Sequence, residues 1–378
     1  MTDYGVIIVG GGIAGSIAAR DAAKGGLRTL LIEREKTPRE KACSGIQFPY
    51  FERIIGETIP PERLCNIELN KVKMYYPDGK SSGAGFQMIN FMRKPFDNWL
   101  NQIAIRDGAE FRDQCKFTGF EKKGDEIDVT LSNKGVSETL STNHLIDASG
   151  LNPAVRKLMR PEDFAPTSKG ATINYYIDGT GDLDRNTLYQ FWNLDWNDTM
   201  FAWAYMKTLD DGKDYWVVGT GCNTGRVLDR QKLLYEFFKK EFSFRGEIVK
   251  REGYSHTIDL SADEKVWLGE DNILMVGDAA GLIDPSRGVG MDAAALSGRL
   301  VAQALFKGDS VMKEYSKLMK PLVLQTRRNQ SREIGVHKNN EDMQKYLEKS
   351  IMFQGLVMMV QKALNKFRPL HKMVMLPP

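Results

Sequence analysis

The chain has 378 residues, with 52 Lys and Arg against 49 Asp and Glu and a formal net charge of +3. That length suits two domains of roughly 100–200 residues each, and the balanced charge, without a basic block, gives no reason to expect a nucleic-acid partner. A hydrophobic share of 42% and a charged share of 27% are globular, and no apolar run approaches the ~18 residues of a membrane span.

The chain opens with Val6-Ile7-Ile8-Val9, a β-branched run of the kind that fills a strand buried on both faces. It is too short for a signal-peptide core and ends in glycines. An alanine-rich helix over residues 13–23 follows, Gly25-Gly26 ends it, and Thr29-Leu30-Leu31-Ile32 is a second strand. This is a βαβ unit, which implies a parallel sheet and a right-handed crossover. Pro95 can open the next helix, with Phe96, Trp99, Leu100 and Ile103 on one face. Short alternating strands lie near residues 126–131, and His144-Leu145-Ile146 leads into Asp147. From about 171 to 258 aromatics are dense and alternation dominates, as in Thr172 to Ile177, Met200 to Met206 and Tyr215 to Val218. That stretch reads as an antiparallel sheet broken by one helix near 231–242. Parallel texture returns at Ile273-Leu274-Met275-Val276, before a helix over about 291–306, and the tail after Lys313 is helical.

The fold expected is therefore α/β. A discontinuous Rossmann-like domain (1–60, 93–165 and 266–310) binds the cofactor. An inserted antiparallel-sheet substrate domain (61–92 and 166–265) and a helical C-terminal region (311–378) complete it.

Two segments carry chemistry. Gly10-Gly11-Gly12-Ile13-Ala14-Gly15 is a G-x-G-x-x-G between strand and helix. Gly10 permits the tight turn, Gly12 lets the backbone touch a pyrophosphate, and Gly15 lets helix and strand pack closely. The helix N-terminus, including Ile13 and Ala14, faces the phosphates with unpaired N–H groups. Glu33 ends the second strand, where a carboxylate accepts from ribose hydroxyls and disfavours a 2′-phosphate. The other segment is Val276-Gly277-Asp278-Ala279-Ala280-Gly281, followed by Gly288-Val289-Gly290-Met291 at a helix start. Asp278 can hold a ribityl hydroxyl, and the amides of Gly288 to Met291 can stabilise negative charge on a flavin ring.

These segments resemble the flavoprotein group that contains p-hydroxybenzoate hydroxylase and the geranylgeranyl reductases, the latter most closely. Lys41-Ala42-Cys43-Ser44-Gly45 resembles the family's Lys-Pro-Cys-Gly-Gly. Arg93 and Asp97 fit its arginine and aspartate four apart at a helix start. Asp147, Gly150 and Arg156 fit its Asp-x-x-Gly with a downstream arginine. The Gly-Asp-Ala-Ala-Gly…Pro-x-x-Gly-x-Gly signature is matched in full. Phe201-Ala202-Trp203-Ala204-Tyr205-Met206 resembles its aromatic-x-Trp-x-Phe-Pro motif, with Met206 in place of proline. The resemblance covers about residues 1–310. It implies FAD as cofactor and reduction of carbon–carbon double bonds in an isoprenoid or lipid-like substrate. It implies contacts to the cofactor from Cys43, Ser44, Gly45 and Arg93, with Arg34, Phe117 and Ala148 as further candidates. A substrate cavity walled by Phe191, Phe201, Trp203, Tyr205 and Met206 also follows, with Cys43 and Tyr205 as candidate catalytic groups.

Other residues bound the reading. Cys43, Cys65, Cys115 and Cys222 lack paired spacing, so free thiols, no metal site and a cytoplasmic, reducing location are expected. Cys65, Cys115 and Cys222 read as packing residues. His144, His256, His337 and His371 align with no motif and read as structural or exposed. Arg287 reads as paired with Asp284 or pointing to solvent. No second glycine-rich βαβ unit is present, so an NAD(P)H donor would bind transiently, or a ferredoxin would serve. In the tail, Phe353, Leu356, Val357, Val360, Leu364 and Phe367 form a helical stripe flanked by Lys362, Lys366, Arg368 and Lys372. Such a helix suits a membrane surface or a dock on the core. Two rival functions share the fold: a FAD-dependent monooxygenase of an aromatic or apolar substrate, and a flavin- and lipid-binding protein without turnover.

Overall fold

The computed structural model describes residues 2–198, 201–222, 225–258, 266–283, 290–307, 310–330 and 337–349. In chain order, β1 (Tyr4–Val9), α1 (Ile13–Lys24) and β2 (Thr29–Ile32) form the opening unit. Next come β3 (Ile46–Gln47), α2 (Tyr50–Ile55), β4 (Leu69–Tyr75), β5 (Ser81–Asn90) and α3 (Arg93–Arg106). Then follow β6 (Glu110–Arg112), β7 (Cys115–Lys123), β8 (Glu126–Asn133), β9 (Val136–Asp147) and α4 (Arg156–Met159). The middle of the chain holds β10 (Gly170–Thr180), β11 (Thr187–Phe191), β12 (Ala202–Thr208), β13 (Asp214–Cys222), α5 (Val227–Glu241) and β14 (Arg245–His256). It closes with β15 (Gly269–Glu270), β16 (Ile273–Met275), α6 (Met291–Ala304) and α7 (Val311–Gln330).

Two sheets result. The first runs β15-β16-β9-β1-β2-β6, and β8 and β7 extend it from β9 as a meander. Its centre is parallel: β1 lies between β2 and β9, and β16 follows β9 in the same sense. Val6, Ile7, Ile8, Leu30, Leu31, Leu145 and Leu274 are fully buried there, as a parallel sheet covered on both faces requires.

The second sheet runs β14-β10-β13-β12-β11-β4-β5-β3. It differs from the expected purely antiparallel sheet, because β11 pairs with β4 in parallel. The β4–β5 hairpin comes from an earlier part of the chain and completes the sheet's edge. β3 also joins this sheet through β5, although its residues fall in the stretch assigned to the cofactor domain. One face of the sheet packs on α5, where the Phe191 and Phe238 rings meet edge-on at 5.2 Å. The other face looks toward the first sheet's strand ends.

α3 begins at Arg93, as the Arg93 and Asp97 pair at a helix start implied, and Pro95 sits in the first turn, where its missing N–H costs nothing. Two boundaries differ from the sequence reading. α5 begins at Val227, four residues before the expected start near 231. β12 begins at Ala202, and Met200 lies outside the described residues. α7 docks on the first sheet, with the Tyr315 hydroxyl donating to Met275 O at 2.9 Å. The apolar stripe at 353–367 lies outside the described residues, as does His371. Among the described residues no helix is long and apolar enough to cross a membrane.

Candidate active site

A cleft of about 1120 Å³ runs from the β1–α1 turn to the inner face of the second sheet. At one end Gly10 adopts φ +113°, and a Cβ there would lie 2.5 Å from Ala148 O. A Cβ on Gly15 would lie 2.0 Å from Gly10 O, so helix and strand touch at that point. At Gly12, by contrast, the nearest atom to an added Cβ is Arg39 Nη2 at 3.4 Å. Gly12 is the N-cap of α1 and supplies no side chain to satisfy the first amides, which leaves them to an anion. Ile13 and Ala14 line the cleft beside it.

Glu33 is buried at the end of β2. Its carboxylate accepts from Gly11 N at 3.2 Å, Glu35 N at 3.1 Å and Arg39 Nε at 2.8 Å. Arg34 lines the cleft with most of its side chain exposed. β7 enters alongside, Cys115 N donating to Glu33 O at 2.9 Å, and brings Phe117 to the cleft wall.

Arg39 is a group that motif reading missed. It spans from Glu33 to Asp97 Oδ2, 3.3 Å from Nη1, while Arg93 holds Asp97 through two bonds of 2.7 and 2.8 Å. Two arginines and two carboxylates thus form one buried clamp along the cleft. An isolated arginine in a loop carries no periodicity, so nothing in the sequence marked it.

Midway, Asp147 is wholly buried and organises the turn after β9. It accepts from Ser149 N at 3.0 Å, Val155 N at 2.8 Å and Arg156 N at 3.0 Å. That turn presents Ala148 and Gly150 to the cleft. Opposite, Gly277 and Asp278 follow β16. Among the described residues the Asp278 carboxylate has no hydrogen-bond partner, and burial pushes its pKa up against the pull of Lys41, Arg93 and His256. Burial likewise pushes the Lys41 ammonium down, with Asp278 opposing. Gly290 and Met291 open α6, again without a side-chain cap, and a Cβ on Gly290 would lie 3.2 Å from Asp278 Oδ1. Gly288, Val289, Asp284 and Arg287 lie outside the described residues.

The structure brings residue 43 to residue 291: Cys43 Sγ lies 3.7 Å from Met291 Sδ. Ser44 lines the cleft, and Gly45 holds φ +56° with no room for a Cβ, which would meet Phe91 O at 1.9 Å. Beneath this turn lies Lys207, a fully buried lysine. Its ammonium donates to Phe91 O at 2.9 Å, Gly45 O at 3.3 Å and the Asn90 side-chain oxygen.

The second sheet roofs this end. Phe201, Trp203 and Tyr205 line the cleft, and Trp203 Nε1 donates to Asn174 Oδ1 at 2.8 Å. Phe191 and Met206 do not. Gln190 stands opposite Trp203 and Phe191 opposite Ala202, so Phe191 and Met206 share the other face and pack in the α5 core. Leu188 and Gln190 take the cleft positions instead. His256, read as structural or exposed, also lines the cleft, and so do Cys115 and Cys222; burial lowers the imidazole's pKa. All four cysteines are unpaired thiols.

These residues fit FAD. The cleft has uncapped helix starts at Gly12 and Gly290, glycines where a Cβ would intrude, and an acceptor at Asp278 that finds no donor among the described residues.

Residues 5–153 match the family model for FAD dependent oxidoreductase. Digeranylgeranylglycerophospholipid reductase 3 of Methanosphaera stadtmanae is 25% identical over 331 residues, covering 80% of this chain and 78% of its own. The chloroplastic geranylgeranyl diphosphate reductase of Nicotiana tabacum is 26% identical over 331 residues, covering 82% and 67%. Among solved structures, a geranylgeranyl bacteriochlorophyll reductase-like protein of Thermoplasma acidophilum superposes with a TM-score of 0.77 at 20% identity, over 90% of each chain. Aklavinone-11 hydroxylase, solved with FAD and aklavinone, superposes at 0.70 with 15% identity, over 92% of this chain and 71% of its own. At those identities the two structures establish a common fold.

Proposed function

We propose that this chain, which belongs to the FAD-dependent oxidoreductases, reduces carbon–carbon double bonds in an isoprenoid or other lipid-like substrate. The observation that carries the reading is the aromatic roof of Phe201, Trp203 and Tyr205 over the place where Cys43 meets Met291. Gly10, Gly12, Ile13, Ala14 and Gly15 would bind the pyrophosphate, and Glu33 and Arg34 the ribose. Arg93, Phe117, Ala148 and Gly150 would line its length. Asp278 would accept from the ribityl chain. Cys43, Ser44, Gly45, Gly277, Gly290 and Met291, with Gly288 and Val289, would surround the ring. Bound and reduced, FAD supplies two electrons and one hydrogen at that ring.

The protein's own work is positional and protic. Trp203 and Phe201 hold an apolar chain against the ring and exclude water. Burial first, and the nearby Cys43 and Glu252 next, raise the Tyr205 phenol well above its ordinary pKa, so it keeps its proton at neutral pH. Tyr205 then donates that proton to the second alkene carbon, and Cys43 shapes the approach. The electrons come from a transient donor, NAD(P)H or a ferredoxin. The apolar stripe at 353–367, with the basic residues that flank it, would bring the protein to a lipid surface.

The test is anaerobic. Photoreduced protein is mixed with a geranylgeranyl lipid, and reoxidation of the flavin is followed with mass analysis of the product. The proposal expects reoxidation and one hydrogen pair gained per double bond. Reoxidation only by oxygen, with a hydroxylated aromatic product, would establish the monooxygenase instead. No turnover of either kind would leave a binding protein.

A further inference from the structure

We propose that Lys207 tunes the reduction potential of the bound flavin: its buried ammonium, matched by no carboxylate, holds positive charge behind the wall of the ring site. The proposal rests on FAD lying in this cleft as placed above, and not on the identity of the substrate. Lys207 is the last cleft-facing residue of β12, following Trp203 and Tyr205 in the same alternation. It is 1% exposed. Its Nζ donates to Phe91 O at 2.9 Å, to Gly45 O at 3.3 Å and to Asn90 Oδ1. Three segments therefore meet at one nitrogen: the roof strand, the end of β5, and the turn that carries Cys43 and Ser44.

These contacts set the protonation state. Asn90 Nδ2 donates to Ile67 O at 3.0 Å and to Met206 O at 3.2 Å, which fixes the amide and turns Oδ1 to the lysine. Three oxygens around one nitrogen call for three N–H donors. An ammonium has three, whereas a neutral amine has two and would aim its lone pair at the third oxygen. Burial lowers the pKa of this ammonium, and Cys65, Cys43 and Glu252 oppose that fall.

The charge is left unbalanced. Among the described residues no carboxylate pairs with Lys207, whereas the other charges at this end have opposites. Arg93 is held by Asp97 at 2.7 and 2.8 Å, and Asp278 opposes Lys41. Glu252 accepts from the Tyr176 hydroxyl at 2.6 Å and has Lys250 Nζ at 3.9 Å. Lys207 Nζ lies 5.7 Å from the centre of the Tyr205 ring, which lines the cleft, and 3.3 Å from where a Cβ on Gly45 would stand. Cys43, two residues before Gly45, reaches Met291 where α6 opens. Lys207 and the uncapped amides of α6 thus bear on one place, both with positive sign. Reduction at neutral pH adds two electrons and one proton to a neutral ring and leaves one negative charge on it. A buried cation favours that product over the oxidised ring, because little water screens it.

Redox titration of the FAD-loaded protein against a reference dye tests this. Lys207→Met should shift the two-electron equilibrium toward oxidised flavin about tenfold or more, a fall of about 30 mV in potential. Asn90→Asp keeps an acceptor on Nζ and adds the missing carboxylate. It should lower the potential in the same direction, and it serves if the methionine variant does not fold. Fully reduced wild-type protein at neutral pH should show the absorbance of the anionic reduced flavin, which needs no variant. A lysine that only braces the turn would lower FAD content and leave the potential of the remaining flavin unmoved. That result, or a neutral reduced ring in the wild type, would overturn the tuning role alone. A wild-type chain that takes up no FAD would overturn the cofactor placement, and the tuning role with it.

Discussion

Asp97 accepts from Arg93 through both carboxylate oxygens and meets Arg39, which in turn reaches Glu33. Its removal would leave buried Arg93 without its carboxylate, while Arg39 would keep Glu33. Asp97→Asn should destabilise the fold by about 3–5 kcal/mol, the usual cost of breaking a buried pair, read from a denaturant curve. The glycines separate two roles. Gly15→Ala should destabilise by about 1–3 kcal/mol, because its Cβ would strike Gly10 O. Gly12→Ala should leave the melting temperature nearly unchanged and weaken FAD binding roughly tenfold or more, about 1.4 kcal/mol. Titration adds a third check. Burial raises the phenols of Tyr176, Tyr205 and Tyr315, so the folded protein holds these protons more tightly than the unfolded chain. Stability should therefore fall once the pH passes the unfolded value near ~10, and Tyr315→Phe should flatten that fall in melting curves. At this scale the glycines and Glu33 were readable in the sequence, because a strand-to-helix turn admits few alternatives. Arg39, Lys207 and His256 were not, since each acts through a tertiary contact that leaves no local pattern.

β12 shows what alternation can and cannot say. Its period of two separates Phe201, Trp203 and Tyr205 from Ala202, Ala204 and Met206. Both sets are apolar because the sheet is covered on both sides, by the cleft and by α5. Pattern alone therefore placed the first set together and Met206 on the other face; the motif resemblance had put Met206 in the cavity, and alternation on β12 says nothing of Phe191, which lies on β11. Phe191→Ala should cost about 3–5 kcal/mol of stability, with FAD affinity of the folded protein unchanged. Trp203→Ala should instead raise the substrate KM, and it also leaves Asn174 Oδ1 without its donor. Stability and steady-state measurements on the pair separate core from cavity wall.

Across the whole molecule, the site exists only because distant segments converge. Cys43, Met291 and the β12 roof come from three parts of the chain. The βαβ opening and the return of parallel texture near residue 273 were enough to read an α/β fold with an insertion. The parallel pairing of β11 with β4 was not readable, because strands more than a hundred residues apart leave no mark of their register on either sequence. The central claim is that the amides near Gly12 and those near Gly290 serve the same cofactor. FAD titration of stripped protein, followed by flavin fluorescence, tests it in wild type, Gly12→Val and Gly290→Val. One FAD should bind per wild-type chain, and each valine should weaken that same site. Unchanged affinity in either variant, or no saturable binding in the wild type, would contradict it.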